Sequence, residues 1–389
     1  MYHIILILLL VGVVLELKDR KTPIKYFYAM FLLLTLMLSL RYGQGTDYFS
    51  YRLMYNKTPE NFFKLFTYYG FQAEYGWRII FWLFRLFGQP FPAFIFVLSI
   101  GEMALLFRFL QRFCKRRMLA LFLSYHTLYL TWFFSGLRQG LVMAVFLGLL
   151  LEWLLQKKYL HYCVGCVLCG LIHSVGYLLL VAVIVDTKFL SALKWQLILV
   201  GAAWAAGLLI STGIFDGFLP KILPSSVVAY YNKKGLSLFA MAERILSYAV
   251  TVYTFWMCGG GKGETKRRMT RLLQIVTLGM IVYGGFVWLP LVASRLAVVF
   301  KMVEIAIWSS LLLKRDLLGK LKAAFCICLV LLMYTKNISS HIREGQYKDH
   351  VNVFNFPYVS VFDTKEITEY RSLDKKYEPL AAVQPDFME

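Results

Sequence analysis

Apolar residues along this chain fall into continuous blocks, not into apolar–polar alternation. Each block is close to the ~20 residues that a helix needs to cross the hydrocarbon core. Strands of a membrane barrel would alternate, so the pattern predicts an all-α transmembrane bundle. Single spans are predicted at 1–17, 24–40, 91–110, 119–134, 137–155, 195–210, 241–258, 272–289, 296–313 and 321–334. The stretch 159–185 is too long for one span and short for two. We read it as a two-helix excursion turning near His173 and Ser174, which brings the total to about twelve spans. Residues 1–17 lack a basic leader and a small-residue cleavage site, and are expected to form the first span.

Charge supplies the orientation. The sequence has 42 Lys and Arg against 22 Asp and Glu, a net charge of +20. With 59% hydrophobic and 16% charged residues, it is not composed like a soluble domain. No basic stripe lies on a soluble segment, so the charge does not point to nucleic acid. It is expected to mark cytoplasmic loops. The clusters are Lys18–Arg20–Lys21–Lys25, Arg112–Lys115–Arg116–Arg117, Lys157–Lys158, Lys188–Lys194, and Lys262 through Arg271. Keeping the Arg112 cluster inside leaves one span at 91–110 and makes 74–87 an interfacial or re-entrant helix. There Arg78 and Arg85 share a face among Trp77 and Trp82. This threading gives a transmembrane domain at 1–335 with external loops 41–90 and 211–240. An external tail follows at 336–389, too polar to span, with Pro357, Tyr358, Ser360 and Phe362 folding back over the outer face.

Arginines placed outside need a reason, because positive charge normally stays inside. An anionic ligand at the membrane surface is one. Arg41 opens the stretch RYGQGTDYFSY, in which Gly43 and Gly45 allow tight turns that free backbone amides. Asp47 in the same loop is a candidate base, although it is also placed to cap a helix. Arg138 and Gln139 separate two apolar blocks; a snorkelling arginine is the plainer alternative. His173 has a side chain that can take a proton near neutral pH, although a lone His in a helical hairpin is more often a structural hydrogen-bonder. Arg295 opens the eleventh span, with Lys301 and Glu304 beyond it; a Glu304–Lys301 or Glu102–Lys301 structural pair inside the bundle and a transport role are equal readings of these charges. Tyr230 and Tyr231 can stack on sugars or sit in the interfacial belt. Cys163, Cys166 and Cys169 have no partner at ligand spacing and read as packing residues, so no metal is expected.

RYGQGTDYFSY, EYGWRII, GLRQGLVMAV, IHSVGYLLL, SRLAVVF and PYVSVF occur in the order found in the EpsG family of Wzy-like polysaccharide polymerases, which the chain resembles over nearly its whole length. Ser135-Gly136 before Leu137-Arg138-Gln139 departs from the Phe-Asn or Phe-Ser expected there. The resemblance implies a GT-C-like, metal-independent glycosyltransferase of the bacterial cytoplasmic membrane that uses no cofactor. It would transfer a glycan from a polyprenyl diphosphate to another lipid-linked repeat unit on the outer face, alongside membrane lipids and a chain-length regulator protein. Arg41, Arg138, Arg295 and Arg78 are then candidates to neutralise the leaving diphosphate. Asp47, His173 and Glu74 are candidate bases, and Tyr48, Tyr51, Gln139 and Tyr230 candidate sugar contacts. A carboxylate beside arginine is a weaker base, which tells against Asp47 and keeps His173 in play.

The rivals are a flippase or transporter of lipid-linked sugars, a ligase sharing the donor chemistry, and an O-acyltransferase. A transporter predicts internal repeats and a polar path through the bundle. No clear repeat occurs, and the charged residues favour one side.

Overall fold

A computed structural model describes residues 1–19, 24–67, 73–186, 190, 192–212, 238–258, 263–311 and 317–382. Among these residues the chain is all-α, with no strand. Among the described residues, three helices are long and apolar enough to cross a membrane: Phe91–Phe113, Leu137–Leu155 and Leu193–Ser211. Phe91–Phe113, at about 1.5 Å per residue, reaches roughly 34 Å and exceeds a ~30 Å hydrocarbon core. Shorter apolar helices lie at Tyr2–Leu17, Ile24–Ser39, Tyr159–Ile172 and Val175–Asp186. The eleventh predicted span is not one continuous helix. It is broken into Pro290–Lys301 and Glu304–Trp308, at a buried ion cluster described below.

The described residues form two compact units. The first comprises residues 1–149, 167–176 and 313–389, and the second 150–166 and 177–312. In the first, Ile24–Ser39 packs on Phe91–Phe113, which packs on Leu137–Val145. Tyr2–Asp19 packs on Arg117–Ser124, whose leading amides would otherwise lack acceptors. Glu16 fills that need, accepting from Met118 N at 3.1 Å and Leu119 N at 3.0 Å. Arg117–Ser124 runs on as a π-helix over Tyr125–Phe133. It turns at Phe134–Gly136 and re-enters as Leu137–Val145. Residues beyond 335 also pack in this unit: Arg41 pairs with Ser360 in an isolated bridge, as Tyr347 does with Arg371.

Tyr75–Leu86 falls where an interfacial or re-entrant helix is predicted. One face buries Trp77 and Phe81, four residues apart, while Leu83, Leu86 and the following Phe87 stay exposed. An apolar exposed face of this kind suits the acyl boundary of a bilayer.

In the second unit, Glu264–Gly285 is the central helix, packed by Leu193–Ser211, Leu238–Cys258 and Pro290–Lys301. Gly207 and Gly284 let two of these backbones meet, since a Cβ on Gly207 would lie 1.9 Å from Gly284 O. Lys301 sits between Glu304 at 2.7 Å and Glu243 at 3.1 Å, and Ser247 donates to Glu304 at 2.7 Å. The Glu304–Lys301 pair therefore forms; Glu102 lies in the first unit, on Phe91–Phe113.

Candidate functional site

The loop after Ile24–Ser39 is shaped by two glycines in the left-handed region, Gly43 at φ 65° and Gly45 at φ 95°. Gly45 also has no room for a side chain, because a Cβ would stand 2.0 Å from Phe134 O. Thr46 N donates to Ser135 Oγ at 3.1 Å, tying the loop to the 134–136 turn. Asp47 then starts the helix Tyr48–Asn56, without a side-chain capping bond. Thr46 Oγ1 donates to Asp47 Oδ1 at 3.3 Å. One turn on, Tyr51 presents its hydroxyl to Arg138.

Arg138 is the point of convergence. Its Nη1 forms an ion pair with Glu74 Oε2, its Nε donates to Tyr51 OH at 3.4 Å, and its guanidinium lies 5.9 Å from the Tyr51 ring centroid. The other carboxylate oxygen of Glu74 accepts from Ser174 N at 3.0 Å. Glu74 thus joins Arg138 to the His173–Ser174 turn. His173 ends Tyr159–Ile172, and its Nδ1 accepts from Val175 N at 3.2 Å. Arg138 and Glu74 remain partly open, at 19% and 26% of side-chain exposure, so a ligand can reach the pair. Burial raises the Tyr51 phenol above its ordinary range against the opposing charge of Arg138, so it stays protonated.

Other candidates are placed differently. Arg41 is fully buried. Its guanidinium donates to Leu38 O, to Ser99 Oγ at 3.1 Å and to Phe133 O at 2.9 Å, and lies 4.9 Å from the Phe134 ring centroid. It is a strut that joins two helix ends, with its donors turned inward. Burial lowers the Arg41 pKa, and the fully buried Glu102 opposes that shift. Arg78 donates to Ala73 O at 2.7 Å and Leu65 O at 2.8 Å, fastening the start of the interfacial helix. Tyr48 is buried edge-on against Phe49 and Phe91. Gln139 is buried one residue past Arg138. Arg295 is exposed on Pro290–Lys301 of the second unit. Tyr230 and Tyr231 lie outside the described residues.

Two residues near the loop carry no signal in the pattern. Arg371 donates from Nε to Gly345 O at 2.7 Å, and from Nη1 to Gly43 O and, at 3.1 Å, to Gly45 O. It also lies over the rings of Phe49 and Tyr347. Burial lowers its pKa, while Tyr347 and Asp47 favour its charge. His341 Nε2 stands 3.3 Å from Ser135 Oγ. Its pKa is lowered to about 4, chiefly by burial and then by Arg371. Both residues lie in a polar tail, where neither spacing nor hydropathy separates a clamp from a solvated charge.

The loop, the 134–138 turn and the bridge to Ser360 all fall within residues 24–360, the extent matched by the model of the EpsG family. The chain belongs to the EpsG family. Membership makes it a membrane protein of polysaccharide biosynthesis, in a family associated with glycosyltransferase-like polymerases. Arg371 lies beyond the residues matched to EpsG, although it holds the matched loop. No curated protein and no solved structure matches the chain.

Proposed function

We propose that the chain is a metal-independent membrane glycosyltransferase. It polymerises polyprenyl-diphosphate-linked oligosaccharide repeat units on the outer face of the bacterial cytoplasmic membrane. The observation that carries this reading is the accessible Arg138–Glu74 pair between the Asp47 loop and the His173–Ser174 turn. The about twelve-span threading, which puts these segments outside, belongs to the same proposal.

Glu74 occupies the guanidinium fork where a diphosphate oxyanion would bind. A donor diphosphate displaces it, because phosphate oxygens take the same charge-assisted hydrogen bonds. Arg138 then stabilises the leaving group as the anomeric C–O bond breaks and the diphosphate departs with the bonding electrons. The released Glu74 carboxylate takes the proton of the acceptor hydroxyl, whose oxygen forms the new glycosidic bond. Glu74 takes this role in place of Asp47 because donor binding at Arg138 releases its carboxylate beside the departing diphosphate. His173 orients the turn that holds Glu74, and Arg41 positions the two helix ends. Tyr51, predicted as a sugar contact, is buried between Arg138 and Trp77 and instead holds Arg138 in place.

The test is the full chain in liposomes, supplied with a lipid-linked repeat unit. A ladder of longer lipid-linked glycans is expected. Arg138→Lys keeps the charge but loses the fork, and should lose most of the ladder. Near-normal chain lengths in that variant overturn the role of Arg138. Labelled lipid crossing the bilayer without a ladder would favour a transporter.

A further inference from the structure

A separate cavity of about 370 Å³ lies in the first unit, where Tyr48–Asn56 meets the end of Tyr75–Leu86 and the start of Phe91–Phe113. That volume is in the range of small-ligand sites, roughly 300–1,000 Å³. Among the described residues, two arginines line it, Arg52 and Arg85, and no carboxylate does. Arg52 is only 5% exposed. Its Nη1 donates to Tyr42 OH at 2.5 Å, and its guanidinium lies 5.5 Å from that ring centroid. Its other N–H groups have no acceptor among the described residues, and no carboxylate pairs with it there. A buried guanidinium without a counter-charge is costly, and an anion in the cavity would remove that cost.

The cavity is held open by its own framework. Arg85 Nη1 donates to the carbonyls of Tyr55, Asn56 and Thr58 at 3.3, 2.6 and 2.7 Å. Tyr55 OH donates to Gln89 O. Tyr55 and Phe91 form a buried floor, and Asn56 and Gln89 an exposed rim. Just before that rim come Leu86 and Phe87, 59% and 73% exposed. A basic cavity beside an exposed apolar run matches a molecule with an anionic head and hydrocarbon chains. We infer that this cavity binds the phosphate head group of an anionic membrane lipid, whose acyl chains cover Leu86 and Phe87. The bound lipid would anchor the interfacial helix to the bilayer, at a site distinct from Arg138.

Native mass spectrometry of the full chain in neutral detergent tests this, titrated with phosphatidylglycerol or phosphatidylcholine. Phosphatidylglycerol should bind at least about tenfold more tightly, as expected for charge-assisted bonds to two guanidiniums. Arg52→Gln should bring it down to the phosphatidylcholine level. Because Arg52 also holds Tyr42, Asn56→Trp is the second variant. It plugs the rim from an exposed position, and should abolish the preference without lowering the melting temperature. Unchanged phosphatidylglycerol binding in the folded Asn56→Trp variant overturns the inference. So does displacement of the lipid by a glucuronate-containing disaccharide at lower concentration than by inorganic phosphate, which would assign the cavity to an acidic sugar. No turnover is measured, so failure of the polymerase reading leaves this result untouched.

Discussion

Replacing Arg371 by Ala should loosen the loop that carries Asp47, from a position more than 320 residues away in the chain. The guanidinium supplies donors to three carbonyls, those of Gly345, Gly43 and Gly45. Arg371 is 5% exposed, so truncation leaves these acceptors without it in a largely buried setting. At about 1 kcal/mol or more for each lost acceptor, the local cost is roughly 3 kcal/mol. Local opening should then rise on the order of 100-fold, since 1.4 kcal/mol is tenfold. Hydrogen exchange can read this at two loop amides: Tyr42 N, bonded to Val359 O at 2.9 Å, and Thr46 N, bonded to Ser135 Oγ at 3.1 Å. Both should exchange faster, while amides inside Phe91–Phe113 should not change. Arg371→Lys should lie between, because one ammonium cannot span three acceptors with the geometry of a planar fork. Unchanged exchange at Tyr42 and Thr46 in Arg371→Ala would refute the clamp.

Glu74→Gln should keep a fold-supporting contact with Arg138 but abolish polymer growth, while donor binding is retained; a normal glycan ladder would remove Glu74 as the base. Gly45→Ala meets both a φ of 95° and a 2.0 Å approach to Phe134 O, so little monodisperse protein is expected by fluorescence-detected size exclusion. For His341, the folded pKa of about 4 lies below the ordinary 6.5, so the unfolded chain takes up the proton first. Its contribution is therefore complete above pH 6.5 and is lost as pH falls towards 4. Thermal melts of the wild type should decline across that window, and His341→Gln should flatten the decline.

Block hydropathy alone made the chain a helical membrane protein, because only continuous apolar runs can satisfy both the bilayer and the backbone. Ordered local motifs pointed to the EpsG family, and two of them, RYGQGTDYFSY and GLRQG, meet through the Arg138–Tyr51 bond. Sequence also marked Arg138, Glu74 and His173 as candidates, although it left their partners open. Pairing is a tertiary matter. Glu74 finds Arg138 64 residues away and Ser174 100 residues away, because helices unrelated in sequence end at the same place. The same geometry separates arginines that look alike in the sequence. Arg41 turns inward onto carbonyls, Arg138 stays accessible, and Arg52 lines a cavity with no carboxylate beside it among the described residues. Arg371 and His341 act on the loop only because the tail packs back on it. Residue type and spacing limit what a side chain can do; its burial and its partners decide what it does.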